Sequence, residues 1–81
     1  MYNSFTGVFV VQKSIKLRKD EEYITLGVLL KIAGIIDTGG QAKFYLSDNT
    51  VLVNGEEDNR RGRKLYHADV IQAENQTFLI D

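Results

Sequence analysis

Two hydrophobic periods divide this chain. From Thr25 to Asp48 the apolar residues recur at helical spacing. Leu26, Leu29, Leu30 and Ala33 fall at i, i+3, i+4 and i+7, which predicts an amphipathic helix over about 25–34. Thr25 is placed to cap it, Ile24 and Leu29 to staple its first turn, and Gly34 to stop it. Ile35 and Ile36 pack in a short connector. A second helix is predicted over about 38–48. Thr38 and Gln41 fit a capping box, and Ala42, Tyr45 and Leu46 share one face. Asn49 can end this helix in the left-handed conformation that asparagine tolerates. So short a link favours two helices packed against each other.

Elsewhere the period is closer to two. Ile15 and Leu17 alternate with Lys16 and Arg18, as in a half-buried strand with a basic outer face. Val51-Leu52-Val53 leads into Asn54-Gly55, a strong hairpin-turn dipeptide. Lys64–Tyr66, Val70–Ala73 and Thr77–Ile80 read as further strands, with a turn at Glu74-Asn75-Gln76. Residues 1–12 form an N-terminal extension with a candidate added strand at 7–11, and residues 13–81 form the domain. Helices in the middle with strands around them predict an α+β fold, two packed helices on one face of a small antiparallel sheet.

Composition narrows the function classes. Eighty-one residues make one domain. A chain of this size buries roughly 60–65% of its unfolded surface, so it folds with little to spare. It has no cysteine, hence no disulfide, thiol chemistry or cysteine zinc site. The apolar run Leu26–Ile36 is broken by Lys31 and is too short to span a bilayer, and the first residues lack the pattern of a signal peptide. A cytoplasmic protein is expected, with no membrane partner. Net charge is −1 but unevenly spread. Arg60, Arg61, Arg63 and Lys64 oppose acidic runs at Asp20-Glu21-Glu22 and Glu56-Glu57-Asp58.

Catalysis finds little support. His67 is the only histidine, and Ser4, Ser14 and Ser47 lie in no nucleophile motif. His67 reads as a surface turn residue. Glu56-Glu57-Asp58 lacks the alternating oxygen ligands of a calcium loop and reads as a solvated hairpin tip that can pair with the arginines after it. No metal and no cofactor are expected. Two features suit a polyanion. The start of the second helix, Thr38-Gly39-Gly40-Gln41, exposes unpaired N–H groups beside two residues without side chains, and Lys43 adds a charge one turn on. The alternative for Gly39 and Gly40 is that they permit a tight turn between helices. The cations Arg60, Arg61, Arg63 and Lys64 suit phosphate; the alternative is an ordinary solvated loop. Phe44 falls opposite Leu46 and is either an exposed stacking surface or a packing contact.

The segment Thr38–Gly55, a helix–turn–helix followed by Val51-Leu52-Val53-Asn54-Gly55, resembles the RNA-binding domain named after ribosomal protein S-four (the alpha-L motif). Over Tyr23–Ile71 the chain looks like the stand-alone bacterial members called YaaA-type proteins. They share the Thr-Gly-Gly-x-Ala-Lys helix start, here Thr38–Lys43, and the Asn-Arg-Arg-Gly-Arg-Lys-Leu-Tyr segment, here Asn59–Tyr66. The resemblance implies a non-enzymatic module that binds structured RNA, as ribosomal RNA, a ribosomal particle or tRNA, through Thr38, Gly39, Gly40, Gln41, Lys43, Arg60, Arg61, Arg63 and Lys64. There are departures. Most such domains carry arginines where Gly39 and Gly40 stand and a basic residue near Ser47. Many open the first helix with Arg-Leu-Asp where this chain has Thr25-Leu26-Gly27. Glycine is usual at the position of Ala68. A second expectation is therefore a protein–protein adaptor that keeps the fold with little RNA affinity and pairs or self-associates through the strand at 7–11. A third is a recognition domain detached from a modifying enzyme, whose active site this sequence does not supply.

Overall fold

The computed structural model of the chain describes residues 11–81. In order, these are β1 (Val11–Ile15), β2 (Tyr23–Thr25), α1 (Leu26–Ile32), a 3₁₀ turn (Gly39–Gln41) and α2 (Ala42–Asp48). Then follow β3 (Leu52–Val53), β4 (Glu56–Glu57), β5 (Lys64–Tyr66), β6 (Val70–Ala73) and β7 (Gln76–Ile80). The strand expected at 7–11 lies outside the described residues, apart from Val11.

Helix α1 follows from its sequence. The Thr25 hydroxyl oxygen accepts from the Val28 N–H at 3.3 Å, and Leu26, Leu29 and Leu30 are fully buried. At the other end the Gly34 N–H donates to the Lys31 carbonyl and the Ile35 N–H to the Leu30 carbonyl, both at 3.0 Å. That pair of bonds needs a left-handed residue, and Gly34 supplies it at φ +76°. Ile36 is buried and Ile35 packs beside it against the core.

The start of α2 is tighter than an ideal helix. Gln41 reaches back, and its side-chain oxygen accepts from the N–H groups of Thr38 at 3.1 Å and Asp37 at 2.6 Å. The Gln41 N–H donates to the Thr38 carbonyl at 3.1 Å, closing the 3₁₀ turn before α-geometry begins at Ala42. Asn49 departs from the left-handed stop expected of it. It is extended (φ −133°), and both its N–H and its side-chain amide donate to the Tyr45 carbonyl, at 2.9 and 3.0 Å. A side chain that caps the carbonyl itself makes the left-handed turn unnecessary.

Five strands form the main sheet, in the order β1-β7-β6-β3-β4, while β2 and β5 pair separately. All pairs are antiparallel except β1 with β7. Val53, Ile71 and Phe78 lie side by side across three strands and are buried, with Ala73 and Ile80 on the same face. They share one core with Leu26, Leu29, Leu30, Ala42, Leu46 and Leu65. Leu52, Gln72, Thr77 and Leu79 alternate with them onto the opposite face. The fold is thus α+β, with two packed helices and a mainly antiparallel sheet.

The turns carry the left-handed residues. Asn54 (φ 52°) and Gly55 (φ 84°) make the β3–β4 turn, and Glu74 and Asn75 the β6–β7 turn. Ala68 stands at φ 76°, a conformation that strains a residue with a Cβ. Its neighbours impose it. The Ala68 N–H donates to the Ile80 carbonyl at 2.8 Å, and the Asp69 carboxylate accepts from the Tyr66 N–H at 2.7 Å and the Asn54 amide at 3.0 Å.

Candidate nucleic-acid interface

The chain between β4 and β5 crosses the first turn of α1. A helix start leaves N–H groups without partners inside the helix. Here the Leu26 N–H donates to the Arg63 carbonyl at 2.8 Å and the Gly27 N–H to the Arg61 carbonyl at 2.9 Å. Thr25 supplies the next acceptor, so this helix start is spent on holding the cationic segment in place. Gly27 allows the approach. A Cβ there would lie 3.3 Å from the Arg61 carbonyl oxygen, 3.4 Å from the Ala42 Cβ and 3.5 Å from the Arg61 Cβ. The cationic segment and the first residue of α2 therefore meet over one glycine.

Asp58 sets the charges. Expected at a solvated tip with Glu56 and Glu57, it is buried, its side chain 7% exposed. Its N–H donates to the Val51 carbonyl at 3.0 Å, which draws it inward as the chain leaves β4. One carboxylate oxygen accepts from the Arg60 N–H at 2.9 Å and the Arg60 Nε at 3.1 Å. The other accepts from Arg60 Nη2 at 2.8 Å and Arg63 Nη1 at 2.7 Å. The bond from the Arg60 side chain, above all, holds this carboxyl well below the usual carboxylate range; burial opposes it, and the Arg60 N–H and Arg63 reinforce it. Two of the four cations, Arg60 and Arg63, thus share one internal acid, while their side chains stay 68% and 31% exposed.

Lys64 lies over the Tyr23 ring, its Nζ 5.0 Å from the centroid. Arg61 makes no salt bridge among the described residues. Thr38, Gly39, Gly40, Gln41 and Lys43 are all exposed. A Cβ at Gly39 would meet nothing within 4 Å, and one at Gly40 only the Thr38 hydroxyl at 3.9 Å. Neither glycine has a positive φ. Neither crowding nor backbone conformation calls for glycine at these two positions. Phe44 is exposed on the outer side of α2 and borders a shallow hollow with Ile35, Ile36 and Tyr45.

The family model described as S4 domain matches residues 15–81. The chain belongs to the S4 domain family. It is also 60% identical over 55 residues to the "Probable ribosome maturation protein RlbA" of Bacillus subtilis (strain 168), a match covering 68% of this chain and 78% of that protein. Within this S4 domain the residues singled out from sequence form two neighbouring groups, Thr38–Lys43 at the start of α2 and Arg60–Lys64 across the start of α1. Four further residues contribute, and the sequence points to only one of them. Asp58 pairs with Arg60 and Arg63, as expected of the acidic run before the arginines, but its burial carries no signal in the sequence. Gly27 stands in sequence only as a departure from the Arg-Leu-Asp helix start, with nothing to mark its contact to Arg61. Tyr23 and Tyr66 are set opposite each other by the register of β2 and β5. No helix among the described residues is long and apolar enough to cross a membrane.

Proposed function

We propose that this S4 domain is a non-catalytic RNA-binding protein of the cytoplasm that recognises structured RNA mainly through phosphate contacts. The Bacillus relative is named for ribosome maturation, which makes ribosomal RNA or a ribosomal particle the first ligand to test, with tRNA next. One observation carries the proposal. The Arg61 backbone and the Ala42 side chain both flank Gly27, which supports one face combining Arg60, Arg61, Arg63 and Lys64 with the helix start of Thr38, Gly39, Gly40, Gln41 and Lys43. Cations beside the N–H groups of Gly39 and Gly40 suit phosphate oxygens, which position an RNA without reading its bases. The unexplained glycines at 39 and 40 support the same role, because a side chain there would hold a phosphate away from the backbone.

The test is binding of purified protein to ribosomal subunits and to total RNA across a salt series. Arg61→Glu is the informative variant, since Arg61 has no salt bridge among the described residues and its reversal leaves Asp58 and its partners intact. Affinity should fall for every RNA, with the salt slope reduced by about one unit. An unchanged affinity and slope would remove this segment from the interface. A protein adaptor is the second reading, favoured by the exposed Val28, Ile32 and Phe44 on the helices. It gains if no RNA is bound even at low salt.

A further inference from the structure

Beside the cations lies a feature that phosphate recognition does not use. Strands β2 and β5 form a separate two-stranded ribbon, with Tyr23 directly opposite Tyr66. Their rings are 5.7 Å apart and tilted by 51°, and they remain 37% and 47% exposed. A groove runs along this ribbon, lined by Arg60, Gly62, Arg63, Lys64 and Tyr66. A Cβ at Gly62 would meet nothing within 4 Å, so that wall is open. Lys64 is drawn over Tyr23, and Asp58 fixes the Arg60 and Arg63 guanidiniums.

We infer that this groove takes one unpaired nucleotide of the bound RNA, with its base stacked on the Tyr66 ring and its phosphate on Lys64, Arg60 and Arg63. The inference rests on the RNA-binding proposal and deepens it. Bases inside a duplex present edges and hide their faces, so an exposed ring flanked by cations fits a bulge, loop or strand end. Tyr23 supports Tyr66 from the side and holds Lys64 by its ring face. A cross-strand tyrosine pair would also steady a two-stranded ribbon. That role alone needs no groove with three cations in its lining.

The test compares two short RNA hairpins of the same sequence, one fully paired and one with a single bulged adenosine. The wild-type protein should prefer the bulged hairpin by about ten-fold. Its Tyr66 ring protons should move upfield on binding that hairpin and stay in place with the paired one. Tyr66→Leu should erase the preference while keeping the affinity for the paired hairpin, and Tyr66→Phe should retain it, since stacking needs the ring and not the hydroxyl. Thermal unfolding of the variants checks that the ribbon persists. Equal wild-type affinity for both hairpins, or a preference that survives Tyr66→Leu, overturns this inference and leaves phosphate recognition standing. Failure to bind either hairpin overturns both.

Discussion

Replacing Asp58 by asparagine separates two accounts of the cationic segment by the sign of the effect. Asparagine keeps one oxygen for the Arg60 N–H and Nε. It puts an amide group where the second oxygen accepted from Arg60 Nη2 at 2.8 Å and Arg63 Nη1 at 2.7 Å, so donors face donors. A charge-assisted bond contributes about 1.5–3 kcal/mol when sheltered and about 0–1 kcal/mol between exposed groups. The Arg60 side chain is 68% exposed, so solvent screens its pair and the pair contributes little. Arg63 is 31% exposed, over a carboxylate that is only 7% exposed, so its pair falls between the two limits. Losing it and leaving a mismatched amide should cost about 2 kcal/mol. For a domain of this size that lowers Tm by roughly 8–16 °C.

The pH dependence has a definite sign. The Asp58 pKa is depressed in the folded state. The stability it adds is therefore full above the unfolded carboxyl value of about 3.9 and is lost as pH falls through the lower folded value. Wild-type and Asp58→Asn stabilities should converge in acid below about pH 4. RNA affinity supplies the decisive contrast. If only the number of charges mattered, removing an acid beside four cations would tighten binding. If Asp58 acts by fixing Arg60 and Arg63, the variant should bind several-fold more weakly despite its extra positive charge. Tighter binding with an unchanged Tm would refute the positioning role.

Two further outcomes test the frame of the site. Gly27→Val puts a branched side chain where a Cβ is already 3.3 Å from the Arg61 carbonyl oxygen and 3.4 Å from the Ala42 Cβ. It should cost about 1–3 kcal/mol in urea denaturation and weaken RNA binding, and an unchanged midpoint would contradict the close approach. Tyr45→Phe removes the bond its hydroxyl donates to Glu74 at 2.5 Å, which ties α2 to the β6–β7 turn, and should cost about 1 kcal/mol at neutral pH. Burial, the bond to Glu74 and the Glu74 charge push the Tyr45 hydroxyl well above its usual range. The unfolded chain then ionises first, so wild-type stability should fall as pH rises past about 10, and Tyr45→Phe should flatten that decline.

Local features of the fold were legible in sequence because their causes are local. The stripe from Leu26 to Ala33, the stop at Gly34 and the Asn54-Gly55 turn each depend on residues within one or two turns of chain. The same holds for the strands at Lys64–Tyr66 and Val70–Ala73. Asn49 was misread because asparagine ends helices in two ways, and only the geometry shows its side chain capping the Tyr45 carbonyl. The parallel pairing of β1 with β7 joins the two ends of the described chain, and no local signal encodes it. Ala68 is the opposite case. The family habit of glycine there agrees with its φ of 76°, though this sequence gives no glycine to reveal the turn.

The site was less legible, because its parts act across the chain. Arginine and lysine in number mark a cationic segment, but not which donors remain for a partner. That depends on Asp58 being buried, and its burial follows from a backbone bond to Val51 that composition cannot display. Gly27 gains its meaning from Arg61 and Ala42, one far away in sequence and the other on a different helix. These two residues also bear on the missing arginines. Where most relatives place cations on the helix start at positions 39 and 40, this chain has bare backbone, and its charge lies on the segment that Gly27 seats beside that start. The internal acid lowers the net charge and, in exchange, fixes two of the four cations. A net charge of −1 over the whole chain therefore does not count against the proposed binding of RNA. Binding responds to local charge within about a Debye length, roughly 8 Å at physiological salt, and the segment from Asp58 to Lys64 sets four cations against one acid.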